Sequence, residues 1–131
     1  KDTNKALAQF ITAANLGYVM SGHCVGFIYD NGANEIQKNG DEAHKAYEWA
    51  YRNGYVRSAN NLGVFHINGR HTTPNIVAAE EWFRKAIQGG DSAARKNMMK
   101  LEDLKRYSPT SNLSQIKTYA KLFLSDNPFG F

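Results

Sequence analysis

The sequence predicts an all-helical fold assembled from a repeated helix pair. Three observations lead there. Two interleaved signals recur along the chain at nearly the same step. The small residues and rings inside each signal fall at helical spacing. No segment alternates polar and apolar residues with the period of two that a half-buried strand requires. The first signal is Val25-Gly26-Phe27-Ile28-Tyr29-Asp30-Asn31-Gly32. It returns 37 residues later as Leu62-Gly63-Val64-Phe65-His66-Ile67-Asn68-Gly69. The second is Ala43, Tyr47, Ala50 and Gly54, which returns 36 residues later as Ala79, Phe83, Ala86 and Gly90. Steps of 4, 3 and 4 put each second set on one helix face. Ala or Gly at a facing position lets two helices approach closely, and a ring from the partner fills the space.

The elements follow in order. A first helix is expected over about 4–20 and a second over about 22–31, followed by a loop with Gly32 and Gly40. A third spans about 41–53 with Asp41 as N-cap, and a fourth about 57–68. Pro74 suits the first turn of a fifth, about 75–88, and Asp91 or Ser92 caps a sixth, about 91–107. Ser108-Pro109 breaks the chain before a seventh helix over about 113–124, with an irregular tail from Ser125 to Phe131. Gly32, Gly54, Gly69 and Gly90 fit helix ends that need a left-handed residue.

Composition narrows the function classes. The chain has 131 residues, 42% of them hydrophobic and 12% aromatic. That is one domain's length and too apolar for disorder. One Cys excludes an internal disulfide framework and a zinc site of several thiolates. No apolar run approaches the ~18 residues of a membrane helix. Asn15 and Gly17 interrupt the longest candidate, Ala13 to Met20. The first residue is Lys1, which a chain cut from a longer one or a mature form after signal removal would give. The compartment stays open between cytoplasm and periplasm, with a processed Lys1 favouring the periplasm. Asn112-Leu113-Ser114 matches a glycosylation sequon, a pattern common by chance.

Ala59-x-x-Leu62-Gly63-x-x-His66-x-x-Gly69, followed by Ala79-x-x-Trp82-Phe83-x-Lys85-Ala86-x-x-Gly89 and Ala93, resembles the Sel-one-like repeat family, relatives of the tetratricopeptide repeats. The resemblance covers about 20–100 and is closest over 59–94. Cys24-Val25-Gly26 departs from the usual Ala-x-x-Leu-Gly, and Asn97-Met98 stands where Leu-Gly is usual, as in a terminal unit. The resemblance implies a right-handed α-solenoid whose first helices line a concave groove. It implies repeat units at about 20–54 and 55–90 and a terminal cap at 91–124. It also implies a protein-binding adaptor, of a kind common in bacteria, with no catalysis. An immunity or inhibitor protein that blocks a toxin or secreted effector enzyme is the alternative. A single Cys sets the chain apart from members stapled by disulfides, so its stability must come from packing.

The chemistry-bearing residues are weighed against packing and solvated faces. His23-Cys24 are neighbours on a helix and point about 100° apart, so they form no nucleophile and base by themselves. Cys24 occupies a small-residue position and reads as packed. His44, His66 and His71 lack the spacing of a helical zinc site, and His66 takes the ring position of Tyr29. Asp30-Asn31-Gly32-x-Asn34-Glu35 is rich in oxygen but has its Gly third rather than sixth, so a polar turn is expected rather than a calcium loop. Glu80-Glu81, Glu42 and Glu48 read as solvated faces. No catalytic residue, metal or cofactor is expected. Trp49 and Trp82 read as core, with an interface anchor as the alternative. Residues 84–121 carry nine basic against three acidic side chains, a net +6 that leaves −2 for the rest of a +4 chain. A solvated face is the main reading of that excess, an acidic protein surface is the candidate partner, and nucleic acid is disfavoured for want of interleaved aromatics. Phe123, Phe129 and Phe131 are read as a cap on the last helix pair, or else as a protruding anchor.

The expected partner-binding groove takes first-helix positions outside the packing signature. These are His23, Phe27, Asp30 and Asn31 in one unit and Arg57, Asn60, Val64, Ile67 and Asn68 in the next. Arg95, Met99 and Glu102 come from the terminal unit. Asn side chains can pair with an extended peptide's backbone, and a ring supplies contact area. A protein or peptide partner is expected, while the oligomeric state is left open.

Overall fold

The computed structural model describes residues 2–107 and 119–130. Among them it forms six helices: α1 Thr3–Asn15, α2 Val19–Asn31, α3 Gly40–Arg52, α4 Arg57–Asn68, α5 Ile76–Gln88 and α6 Ser92–Tyr107. Each helix packs chiefly on its chain neighbours, most extensively α2 on α3 and α4 on α5. Such nearest-neighbour stacking is what defines a solenoid.

The two repeated signals interlock as their residue types require. Tyr47 on α3 and Phe83 on α5 are fully buried, each between two fully buried alanines of its own helix. Their rings lie flat against glycines of the preceding helix. A Cβ at Gly26 would stand 2.5 Å from Tyr47 Cδ1, and one at Gly63 would collide with the ring of Phe83. Glycine at these two positions therefore sets the interhelical distance. The fit divides the interior into two clusters. One gathers Leu7, Val25, Ile28 and Ile36 around α1 and α2. The other gathers Phe83, Ile67, Leu101 and Leu104 around α4, α5 and α6.

Helix ends explain where the boundaries differ from the sequence reading. The single helix expected over 4–20 is two elements. Gly17 adopts φ +97°, its N–H bonds to the Ala14 carbonyl, and α2 already begins at Val19. Asp41 does not cap α3. Asn39 does, accepting from Glu42 N–H at 3.1 Å, while Asp41 and Glu42 complement the helix dipole from the first turn. Asn75 plays the same part for α5, accepting from Ala78 N–H at 3.0 Å, with Pro74 just outside the helix. Gly32, Gly54, Gly69 and Gly90 all have positive φ, as their places at helix ends demand. Of the seventh helix expected over 113–124, residues 113–118 and the sequon at 112–114 lie outside the described residues. Only Tyr119 and Ala120 are helical, the chain turns at Lys121 and Leu122, and residues 124–127 are neither helix nor strand before a further turn at Pro128 and Phe129.

Candidate peptide-binding groove

Helices α2, α4 and α6 present a row of polar side chains on one face. His23 comes from α2, Ser58, Asn60 and Asn61 from α4, and Asn97 from α6. All five are fully buried. Burying so many uncompensated polar groups would cost several kcal/mol, so each must find a partner. Ser58 pairs with His23, and for the other four the partner is the segment from Tyr119 to Gly130, which runs along this face from α6 towards α1.

Two carboxamides grip the segment's backbone, each through both polar atoms of one residue. Asn97 accepts from Leu124 N–H at 3.0 Å and donates to Leu124 C=O at 2.9 Å. Asn61 accepts from Asp126 N–H at 2.6 Å and donates to Asp126 C=O at 3.0 Å. Asn60 donates to Leu124 C=O at 3.0 Å while its own carbonyl receives Asn97 at 2.8 Å. Lys100 Nζ donates to Leu122 C=O at 2.6 Å. Residues 124 and 126 are thus read through atoms that almost any peptide possesses. Side chains add three selective contacts. Phe123 stacks on Phe83 with centroids 6.2 Å apart and completes the α4–α6 cluster. Phe129 fits between Phe10 and Phe27 at 5.7 and 5.8 Å, against the α1–α2 cluster. Asp126 carries the charge. His23 Nε2 lies 3.1 Å from its Oδ2, and Arg57 Nη1 lies 3.9 Å from its Oδ1.

Behind the groove lies a buried polar chain. A carboxylate only accepts, so His23 donates to Asp126 from Nε2. Its Nδ1, 2.7 Å from Ser58 Oγ, accepts the serine hydroxyl. Burial lowers the His23 pKa below the ordinary 6.5, against the upward pull of Asp126. Tyr47 O–H donates to Asp30 at 3.2 Å and receives Asn61 at 3.3 Å. Burial, and then the Asp30 carboxylate, hold this phenol well above the usual 10.0. Asp30 also takes Arg70 at 2.6 Å and His71 at 3.0 Å, so it pins the loop after α4 to the end of α2. Serine, histidine and aspartate in sequence suggest a hydrolytic relay. However, Ser58 is sealed, and the N–H groups of Ser58 and Ala59 are already bonded to Tyr55 and Val56 carbonyls. The site therefore holds no adjacent donor pair for an oxyanion at Ser58.

The residues expected to line the groove divide by place. His23, Phe27, Arg57 and Asn60 meet the segment directly. Val64, Asn31 and Asn68 line a cleft of about 320 Å³ beside Phe123 and Ser125. Asp30 and Ile67 are fully buried, the first in its ion-pair knot and the second in the core, and present nothing to a partner. Arg95, Met99 and Glu102 are exposed on α6, and Met99 is 65% exposed. Asn61, Ser58 and Asn97 were not anticipated. One signal marks Asn97, because the step of 37 that takes Gly26 to Gly63 also takes His23 to Asn60 and Asn60 to Asn97. Phe123 packs on α5 and α6, as a cap on the last pair would, whereas Phe129 packs on α1 and α2, and Phe131 lies outside the described residues.

The remaining groups are placed elsewhere. Cys24 is buried, and burial raises its thiol pKa, with Asp126 adding to the rise. His44 and His66 approach at 3.2 Å between Nε2 atoms, away from the segment, and burial followed by His44 lowers the His66 pKa. Among the described residues, no three His, Cys, Asp or Glu side chains converge as a metal site. No described helix is long and apolar enough to cross a membrane. Trp82 is half-buried under Lys85, whose Nζ lies 4.4 Å above the ring, and Trp49 is partly exposed over Gly22.

Stacked antiparallel helix pairs with a polar concave face define a helical-repeat protein of the tetratricopeptide-like class, a fold generally used for protein interaction. Residues 24–54 and 56–91 match the Sel1 repeat, and the chain belongs to the Sel1 repeat family. No curated protein and no solved structure matches the chain.

Proposed function

We propose that this protein is a non-catalytic adaptor that grips a non-helical stretch of a partner protein along the concave face of α2, α4 and α6. One observation carries the reading. Asn61 and Asn97 each bond both the N–H and the C=O of one residue in a non-helical segment, two residues apart. That is how a surface recognises peptide backbone in general, with pockets for alternate side chains supplying specificity. The groove's fit to a non-helical chain favours an adaptor over an immunity or inhibitor protein, which would cover the folded surface of an enzyme. The sealed Ser58 and the raised thiol pKa of Cys24 favour binding over catalysis. The test is a displayed library of random 12-residue peptides panned on the protein. Enrichment is expected with the wild type and is expected to vanish with N61A/N97A. A library that enriches nothing, or an enriched set that the double variant retains, would overturn the reading.

A further inference from the structure

We infer that residues 123–129 are a resident stand-in for the partner: the groove takes a peptide of pattern aromatic-x-x-acidic-x-x-aromatic, and the partner binds by displacing this segment. The inference rests on the groove reading above. The pattern comes from which side chains the groove reads. Phe123 is buried on Phe83, Asp126 faces His23 and Arg57, and Phe129 enters the Phe10–Phe27 notch. These three are evenly spaced, three residues apart. Between them the side chain of Leu124 is 58% exposed, and only its backbone is held. Beyond Ala120 the segment adds no helical turn to the stack and joins no sheet. Its described attachments are side-chain amides, one lysine, one acid and two rings. Elements held this way open at lower free energy than the helices beneath them. An incoming peptide that offers the same backbone atoms, an acid and two rings replaces every one of those contacts, so exchange leaves no buried polar group of the groove unpaired.

The experiment uses the full chain and a fluorescein-labelled peptide with the sequence of residues 119–130. Its affinity is measured for the wild type and for D126K/F129A, in which the resident segment has its charge reversed and has lost a ring. Competition by the resident segment predicts binding at least about tenfold tighter to the variant, because apparent affinity falls with the fraction of open groove. The same peptide with Lys in place of its Asp is expected to bind at least about tenfold more weakly, the cost of setting a cation against Arg57. Equal affinity for wild type and variant leaves the groove reading standing and overturns displacement. Binding to neither overturns the groove reading itself. Amide exchange on the wild type decides independently of whether the variant folds. Leu124 and Asp126 N–H groups are expected to exchange faster than those of Ile67 and Phe83. Exchange as slow as those core amides would make the segment a permanent part of the fold and end the proposal.

Discussion

Asn97 shows how much a single residue decides. It stands where the repeat ordinarily has an apolar residue, and the sequence reading took it for the mark of a terminal unit. The structure makes it the clamp on Leu124. Asn97→Leu restores the repeat-like residue and strands the Leu124 N–H. We expect it to cost about 1–3 kcal/mol, the penalty of an unsatisfied buried group. Faster exchange at Leu124 in the variant than in the wild type, with α4 unchanged, would localise the loss, and unchanged protection at Leu124 would refute it. Asp30 is the second such residue. Tyr47, Arg70 and His71 all converge on its carboxylate. Asp30→Ala should lower unfolding stability by about 3 kcal/mol, since it leaves the Tyr47 phenol without its acceptor and the Arg70 guanidinium without its counter-charge. A urea midpoint within error of the wild type would contradict the knot. Neither role was legible beforehand, because these residues' hydrogen-bond partners lie between 17 and 41 positions away along the chain. What could be read was chemical capacity. Asn60 and His23 were placed at the groove because the packing signature left their face free.

At the scale of the helix, the sequence is close to sufficient. The glycine-to-ring interlock of Gly26 with Tyr47 and Gly63 with Phe83 could be read from spacing alone, because small residues facing rings have few other uses in a stacked pair. Gly63→Leu should cost about 3 kcal/mol or more, as a side chain has no route past Phe83. A melting temperature equal to the wild type would deny that the two helices touch there. Boundaries were legible where a cap or a left-handed glycine could be matched to its own helix. The error at Gly17 arose because the apolar periodicity of α1 runs on into α2, and only the backbone turn at φ +97° separates them. The non-helical course of residues 124–127 was hidden for another reason. Leu113, Ile116, Tyr119, Ala120 and Phe123 carry a helical spacing, yet Phe123 finds its burial on α5 instead. Local pattern loses there to a long-range contact.

At the scale of the whole molecule, one buried and one half-buried imidazole tie stability to pH. His23 and His66 both titrate below their ordinary 6.5 because burial disfavours the cation. The unfolded chain therefore binds protons first as pH falls. Both contributions are complete above 6.5 and are lost as pH drops from 6.5 through the lower folded values. Urea midpoints are accordingly expected to fall between pH 7 and pH 5, and H66Q is expected to flatten that slope. A midpoint that rises on acidification would mean that the two histidines gain protons in the fold. The net charge of +4 does not set this behaviour. The molecule's larger organisation was legible as a stack of pairs with one polar face. That the chain itself covers this face was not, because the segment's anchors belong to two separate core clusters and no local pattern joins them.

The concave face also has a scale of length. Asn97 on α6 and Asn60 on α4 share residue 124, and Asn61 on α4 holds residue 126, so the gripped positions lie two residues apart. One more step down the stack reaches Cys24 or Val25 on α2, neither of which has a carboxamide. The segment meets that step with Pro128, a residue without an N–H to be held.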